Sequence, residues 1–509
     1  MSYDARMLAT APRRGAVLAM IAAAAVAAAG CGARLTPAQH AAGVTLTAGG
    51  RAQAAVAQQA PLSAATEQAP AEPNNGAAAA NAPLTTSGPG VSAPTAANVP
   101  LPSTAVPAAG QPSTATPTTK SSTAPRAGGC APGTLGSSDT GVTATTVRVG
   151  NSADVTGPIP GLFTSAQNAA KAFAAYFNGT GQTVCGRKLV LDSYDSQTSE
   201  AGDHDAVVAA CSKDFALLGS VSAFDQGGAA ASQQCGIPEI RAQMTTGARA
   251  RVPNVFGSAS NVDTNYSSTT PDYLKTLGDA YLHAAYLYVN AGAGAEQGPL
   301  QKAAWEKAGF HFDYFAPVDV TDFNYTPYVV QMKSKGIKLV YFLGAESQAA
   351  NMAKSMKSQN YQPTAYVLPS NAYGDVYPQF AGQAATGTYT FVPGPLLTEE
   401  GSNAEAQLYV QWLHQVAPND QPTFFGEFAW SAMRLFVEQA EKVGPNLTRK
   451  AIIAQIKTVK DWTDHGVHSP QQVGAKVTGV CESVIQWNGS AWVRVTPAPW
   501  SCGQLLSSN

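Results

Sequence analysis

Residues 215–240 read FALLGSVSAFDQGGAAASQQCGIPEI. An apolar run from Phe215 stops at Gly219 in a loop of Gly, Ser and Asp, and a stretch of helical composition follows from Gln226 to Gln234. A short strand is then expected at Pro238–Arg241. Strand, helix and strand in that order is the unit from which parallel sheets are built. Small polar residues between a strand and a helix leave the first helical N–H groups without internal partners and place the positive end of the helix dipole beside them. Such a loop can cradle a phosphate, carry a nucleophile or clamp a ligand, and the rest of the chain has to decide among these.

Working outward, the same alternation recurs. TVRVGN at Thr146–Asn151 predicts a first strand, Phe163–Asn178 an amphipathic helix, Arg187–Ser193 a second strand and Ala201–Lys213 a helix. After a loop at Asn261–Pro271 a second series begins, with strands expected at Ala284–Asn290, Phe310–Pro317, Ile337–Gly344, Ala365–Ser370 and Gly387–Val392. Helices are expected between them at Gly298–Lys307, Pro327–Lys335 and Ser347–Gln359, and later at Asn403–Val416, Phe425–Val443 and Thr448–Val459. Ser483–Trp487 and Ala491–Val495 around Asn488-Gly489 read as a hairpin. The fold class is therefore α/β, with two doubly wound lobes. From Cys130 to Asn509 the chain is longer than one hydrophobic core usually serves, which fits two lobes. In doubly wound sheets ligands sit beyond the carboxyl ends of the strands. GSVSAFDQGG occupies that edge in the first half, LGAESQ and PSNAYGD in the second, and two such edges facing one another make a cleft.

The remaining residues set the compartment. Arg6, Arg13 and Arg14 precede an apolar run, Ala16–Ala29, that ends at Gly30-Cys31, the pattern of a leader too short to span a bilayer. Small residues directly before a cysteine resemble a bacterial lipobox, with residues 1–31 as the leader and Cys31 as the lipidated residue of the processed chain. From about Thr36 to Gly129 the composition is Ala, Pro, Ser, Thr and Gly, which cannot bury enough apolar surface to order itself. Residues 32–129 thus read as a tether, with a reach of about 50 Å for a flexible coil of this length. The formal net charge is −2 and no Lys/Arg run appears, which argues against nucleic acid as a partner. Beyond Cys31 there are Cys130, Cys185, Cys211, Cys235, Cys481 and Cys502, an even set that in an exported chain implies three disulfides among fifteen possible pairings.

Catalytic and metal motifs are missing from the sequence. It contains no G-x-S-x-G, H-E-x-x-H or C-x-x-C, and GSVSA lacks the second glycine of a nucleophile elbow. DHGVH (Asp464, His465, His468) reads as a solvated loop rather than a metal site, and Asp203, His204 and Asp205 as capping and surface charge at a helix start. No metal or cofactor is expected, and an enzyme such as an exported hydrolase is disfavoured. A surface sensor without a transporter remains the alternative to a transport receptor, because a fold does not fix its use.

VRVGNSADVTGP, GRKLVLDSYDSQ, the 215–240 stretch and DFNYTPYVVQMKSKGIKLVYFLG, in this order, resemble the type I periplasmic binding proteins of the leucine/isoleucine/valine-binding kind. The resemblance covers about Val147 to Val495 and implies a two-lobed solute receptor of an ABC importer, closing on a hinge that the chain crosses three times. With the lipobox and tether, it implies a monomer lipid-anchored on the outer face of the cell membrane, with permease subunits as partners. It places residues 130–260 and 393–464 in the first lobe and 261–392 and 465–509 in the second. On that topology the disulfides are Cys130–Cys185, Cys211–Cys235 and Cys481–Cys502. Carried over by position, the solute meets Ser222, Ala223 and Phe224 after the third strand, Gln243, Thr245 and Thr246 after the fourth, and Phe425 at a helix head. Hydroxyls and free N–H groups there suit a carboxylate. The acidic residue that holds an ammonium in amino-acid binders of the family is replaced by Ser370, Asn371 and Tyr373, with Glu346 and Asp375 nearby. The solute is then a small polar or amphipathic one of the branched-chain amino acid, amide or carboxylate class, with an aromatic solute fitting as well.

Overall fold

The computed structural model describes Cys130 and residues 135–509 apart from 262, 263, 400 and 402. The expected leader, Cys31 and the tether lie outside the described residues.

β1 (Thr146–Ala153) buries Val147 and Val149 completely on one face, as its alternation requires. It lies parallel to β2 (Lys188–Asp195) on one side and β3 (Ala216–Leu218) on the other; β4 (Glu239–Gln243) and β5 (Val255–Ala259) continue the sheet in the order β2-β1-β3-β4-β5. The crossovers are α1 (Thr164–Gly179), α2 (Glu200–Lys213), α3 (Ala229–Cys235) and the single turn α4 (Gly247–Ala250). Strand order reverses between β1 and β3, so a crevice opens where those two strands end.

The chain then forms β6 (Asn265–Ser267), α5 (Thr269–Lys275), β7 (Ala284–Val289), α6 (Gly292–Lys307), β8 (Phe312–Val318), α7 (Thr326–Ser334), β9 (Leu339–Leu343), α8 (Glu346–Ser358), β10 (Ala365–Val367), α9 (Val376–Ala381) and β11 (Thr388–Val392). β7 to β11 are mutually parallel. Next come α10 (Ala404–Val416), α11 (Phe424–Val443) and α12 (Arg449–Ile456), then β12 (Cys481–Trp487), β13 (Trp492–Arg494), β14 (Ser501–Cys502) and β15 (Leu505–Ser507). β12 and β13 extend the second sheet antiparallel, giving β13-β12-β11-β10-β9-β7-β8, and β15 pairs with β6 in a separate two-stranded ribbon.

Although α10 to α12 follow the second series of strands, they pack into the core of the first sheet. Tyr409, Trp430, Phe436 and Ile452 join Phe173 and Phe177 of α1 in one buried cluster that extends to Val473. Trp430 sits edge-on to Phe173 at 4.9 Å, and its indole N–H donates to Glu405, which also receives a bidentate pair from Arg434. Arg449 donates to the carbonyls of Cys211, Asp214, Phe215 and Cys235, tying α12 to the ends of α2 and α3. Disulfides join Cys130 to Cys185, Cys211 to Cys235 and Cys481 to Cys502, with Cα separations of 5.0, 6.1 and 3.9 Å.

Several sequence expectations are corrected. The supposed loop Asn261–Pro271 contains β6 and the start of α5, because Asn265–Ser267 finds its partner strand more than two hundred residues later. β5 was not foreseen, since all five of its residues are buried and no alternation marks it. α3 begins at Ala229 rather than Gln226, and α6 begins at Gly292, six residues before the expected start and running through Pro299. Asp203 is a buried ion-pair member rather than a surface charge, Ser199 being the residue that caps α2. DHGVH is no solvated loop: Asp464 and His468 are fully buried, and His468 stacks on Phe428 at 4.6 Å.

Candidate functional site

The loop after β3 is positioned by two buried carboxylates. Asp154, directly after β1, accepts from the Ala223 N–H at 2.8 Å and from Ser196 Oγ at 2.5 Å; Asp225 accepts from the Thr245 N–H at 2.9 Å and from Thr246 Oγ1 at 2.6 Å. Burial raises the Asp154 carboxyl, against the pull of those hydrogen bonds. Behind Asp225 lies a fully buried network, in which Arg241 and Arg249 share Glu239 at 2.9 and 3.0 Å and Arg249 reaches Asp203 at 2.5 Å. Burial pushes Asp203 up to about 6, opposed by the two arginines. Gly219, at φ +63°, lets the loop pass α11 so closely that a Cβ would lie 2.9 Å from that of Ala429.

These bonds overturn one expectation. The N–H groups of Ala223 and Thr245 are not free for a ligand anion, because the chain's own carboxylates occupy them, and the Phe224 N–H is taken by Ser222 Oγ.

Between the carboxyl ends of the two parallel sheets lies a cavity of about 330 Å3. Ala223, Phe224, Gln243, Thr245, Asn371 and Phe425 of the expected set line it, as does Ser370. Ser222, Thr246, Glu346, Tyr373 and Asp375 do not. Ser222 is fully buried behind the wall, accepting from Thr245 Oγ1 through its carbonyl, while Thr246 caps α4. Tyr373 accepts from the Leu397 N–H, and the Glu346 carboxyl is pushed up to about 7 by burial, opposed by its own amide and Asn371. Phe425 meets Phe163 edge-on at 4.6 Å, and with Phe424, Ile159 and Leu162 forms the apolar first-lobe wall.

The opposite wall was largely missed. Gln297, Gln301 and Trp305 recur at spacing four along α6 and line the cavity as one stripe, which placing the helix start at Gly298 cut in two. Tyr341, Leu343, Phe391 and Glu482 complete the second-lobe side. Glu482 shares a face of β12 with the fully buried Val484 but also with Gln486, so alternation read from the sequence passes it as a surface acid. Ser260 Oγ and Asn261 Oδ1 border the cavity as buried polar atoms without a partner among the described residues. Across the rim the Ala293 N–H donates to Ala223 O at 2.7 Å, the Gly247 N–H to Glu296 at 2.8 Å and Gln297 to Thr245 O. No group of three or more His, Cys, Asp or Glu among the described residues could hold a metal ion.

Two parallel sheets presenting their carboxyl edges to one mostly apolar cavity, with hydrogen bonds bridging the rim, define a two-lobed receptor fold of type I. The chain belongs to the periplasmic binding protein family, whose model matches residues 146–478. A search of curated proteins finds no match. Among solved structures it is similar to a fatty acid ABC transporter substrate-binding protein from Thermomonospora curvata, at 16% identity and TM-score 0.60 over 72% of this chain and 95% of that one. It is also similar to a branched-chain amino acid transporter substrate-binding protein from Streptococcus pneumoniae in complex with isoleucine, at 16% identity and TM-score 0.59 over 69% and 100%. A third is a possible leucine/isoleucine/valine-binding protein from Rhodopirellula baltica, at 14% identity and TM-score 0.60 over 69% and 96%. The family is one of solute-binding receptors rather than enzymes.

Proposed function

We propose that this protein is an extracytoplasmic lipoprotein, held on the outer face of the cell membrane through Cys31 and its tether, that captures a small amphipathic solute between its lobes and delivers it to an ABC importer. The observation that carries this reading is the cavity of about 330 Å3 shared by both sheet edges, which falls in the size range of small-molecule sites and is walled mainly by apolar and aromatic side chains. The unpartnered Ser260 and Asn261 atoms supply polar contacts for orientation. That the similar structures include binders named for fatty acids and for branched-chain amino acids supports an apolar-bodied solute. The test is thermal unfolding of the chain against amino acids, amides, amines, alcohols and carboxylates. A solute at a hundred times its dissociation constant adds about 2.7 kcal/mol, readily seen as a rise in Tm. A selective rise supports the reading, and a flat response across the whole panel removes it.

A further inference from the structure

The cavity does not end at the interface between the lobes. It continues between α6 and the second sheet, where Trp305 and Tyr341, each 1% exposed, belong to that lobe's core, and where Glu482 and Thr270 line it. Thr270 Oγ1 donates to Glu482 Oε2 at 2.8 Å. Resting on the receptor reading above, we propose that Glu482 determines specificity at this deep subsite by receiving a protonated amine carried on an apolar body, so that amphipathic amines are preferred over carboxylates and zwitterions.

Four observations converge on that chemistry. Among the described residues lining the cavity there is no Lys, Arg or His, and Glu482 is the one ionisable carboxyl. The first-lobe N–H groups that could have received a carboxylate are held by Asp154 and Asp225. Trp305 and Tyr341 give the same subsite aromatic rings, which attract cations. Among the described residues no cation pairs with Glu482. Of the ionisable groups on the elements packed against β12, Asp272 pairs with Lys275 on α5, Tyr273 adjoins Tyr389 of β11, and Arg494 of β13 pairs with Glu399. Burial therefore pushes the Glu482 carboxyl up to about 7, against hydrogen bonds from Thr270 and Ser267. Its charge is felt nearby, because burial and then the Glu482 carboxylate hold the Tyr341 phenol above its ordinary range despite a hydrogen bond with Gln301. A buried carboxylate without a counter-ion is costly, and an arriving ammonium supplies one.

The test is calorimetric titration of the full chain with phenylbutylamine, phenylbutanol and phenylbutyrate, which share a body and differ in the end group. The expected result is that the amine binds about tenfold or more tightly than the other two, and that Glu482→Gln removes that advantage while leaving the melting temperature at pH 7 no lower. A second measurement needs no variant: with the carboxyl titrating near 7, wild-type affinity for the amine falls about thirtyfold between pH 8 and pH 5.5, where the amine stays protonated. Preference for the alcohol or the carboxylate, or amine binding that is indifferent to pH or to Glu482→Gln, overturns the subsite and leaves the receptor reading standing. Failure of all three to bind overturns the subsite as well, and the wider melting panel then decides whether the receptor reading falls with it.

Discussion

Gly292 opens α6 at φ +49° and touches the first-lobe loop. A Cβ built on it lies 2.4 Å from Ala223 O, where an ordinary C···O contact is about 3.3 Å, so Gly292→Ala forces the two backbones apart by about 1 Å. The adjacent Ala293 N–H to Ala223 O bond, now 2.7 Å, then stretches beyond bonding distance. Two costs follow, and they separate. Left-handed backbone at a residue with a Cβ costs about 1–2 kcal/mol whether or not the lobes touch, so it lowers Tm. The lost hydrogen bond costs about 1 kcal/mol in the closed arrangement alone, which in the proposed receptor weakens solute affinity by about fivefold. Gly292→Asn, a residue that tolerates positive φ, should regain part of the Tm but none of the affinity. The assay is a melting curve beside calorimetric titration with a solute that scores in the panel. Unchanged affinity in both variants would refute the argument that this contact belongs to closure.

Three further outcomes are expected. His468 is buried, with its ring nitrogens on Ser431 and Ser469, and burial lowers its pKa to about 4. Because an unfolded histidine titrates near 6.5, the stability it contributes is complete above that value and is lost as pH falls toward 4, about 3 kcal/mol in all; denaturant midpoints between pH 7 and 4 should fall in the wild type and fall less in His468→Gln. Asp464 is fully buried with both oxygens unpartnered among the described residues, and burial holds its pKa well above the ordinary range. Asp464→Asn should therefore raise Tm at pH 7 and have little effect near pH 3, where the acid is neutral folded or unfolded; an equal shift at both values would refute a charge origin. Thr246→Ala removes the cap of α4 and the bond to Asp225, and should lower stability by about 1–2 kcal/mol in chemical denaturation, an effect on the framework rather than a lost ligand contact.

The doubly wound character was legible because β1, β7 and β9 are apolar runs bounded by small residues and set apart by helix-length segments. Local patterning could not reveal β6, whose three residues carry no signal and whose partner is far away in sequence. Of the residues that line the cavity, Phe224 and Asn371 fall in loops that the crevice rule marks, whereas Gln243 came only with the family resemblance. Which polar groups there face solvent was hidden, because Asp154 and Asp225 fold back on the N–H groups and only tertiary structure shows it. Ser222 and Thr246 have the residue types of a ligand clamp, but the Ser222 hydroxyl is taken by the Phe224 N–H of its own loop and that of Thr246 by Asp225 of the neighbouring one. The α6 stripe and Glu482 were missed for opposite reasons, a helix start obscured by glycines and a strand acid that passes for surface charge.

The ribbon of β6 and β15 bears on how the molecule should be handled. Asn265, Tyr266 and Ser267 line the cavity, and their backbone is held by Ser507, Leu506 and Leu505. A purification tag appended after Asn509 would hang from the ribbon that walls this cavity, so one placed there should be cleaved before any affinity is measured. The same ribbon offers a built-in gauge: deuterium uptake at Tyr266 and Leu506 should slow when the chamber fills, reporting occupancy without a label on the solute.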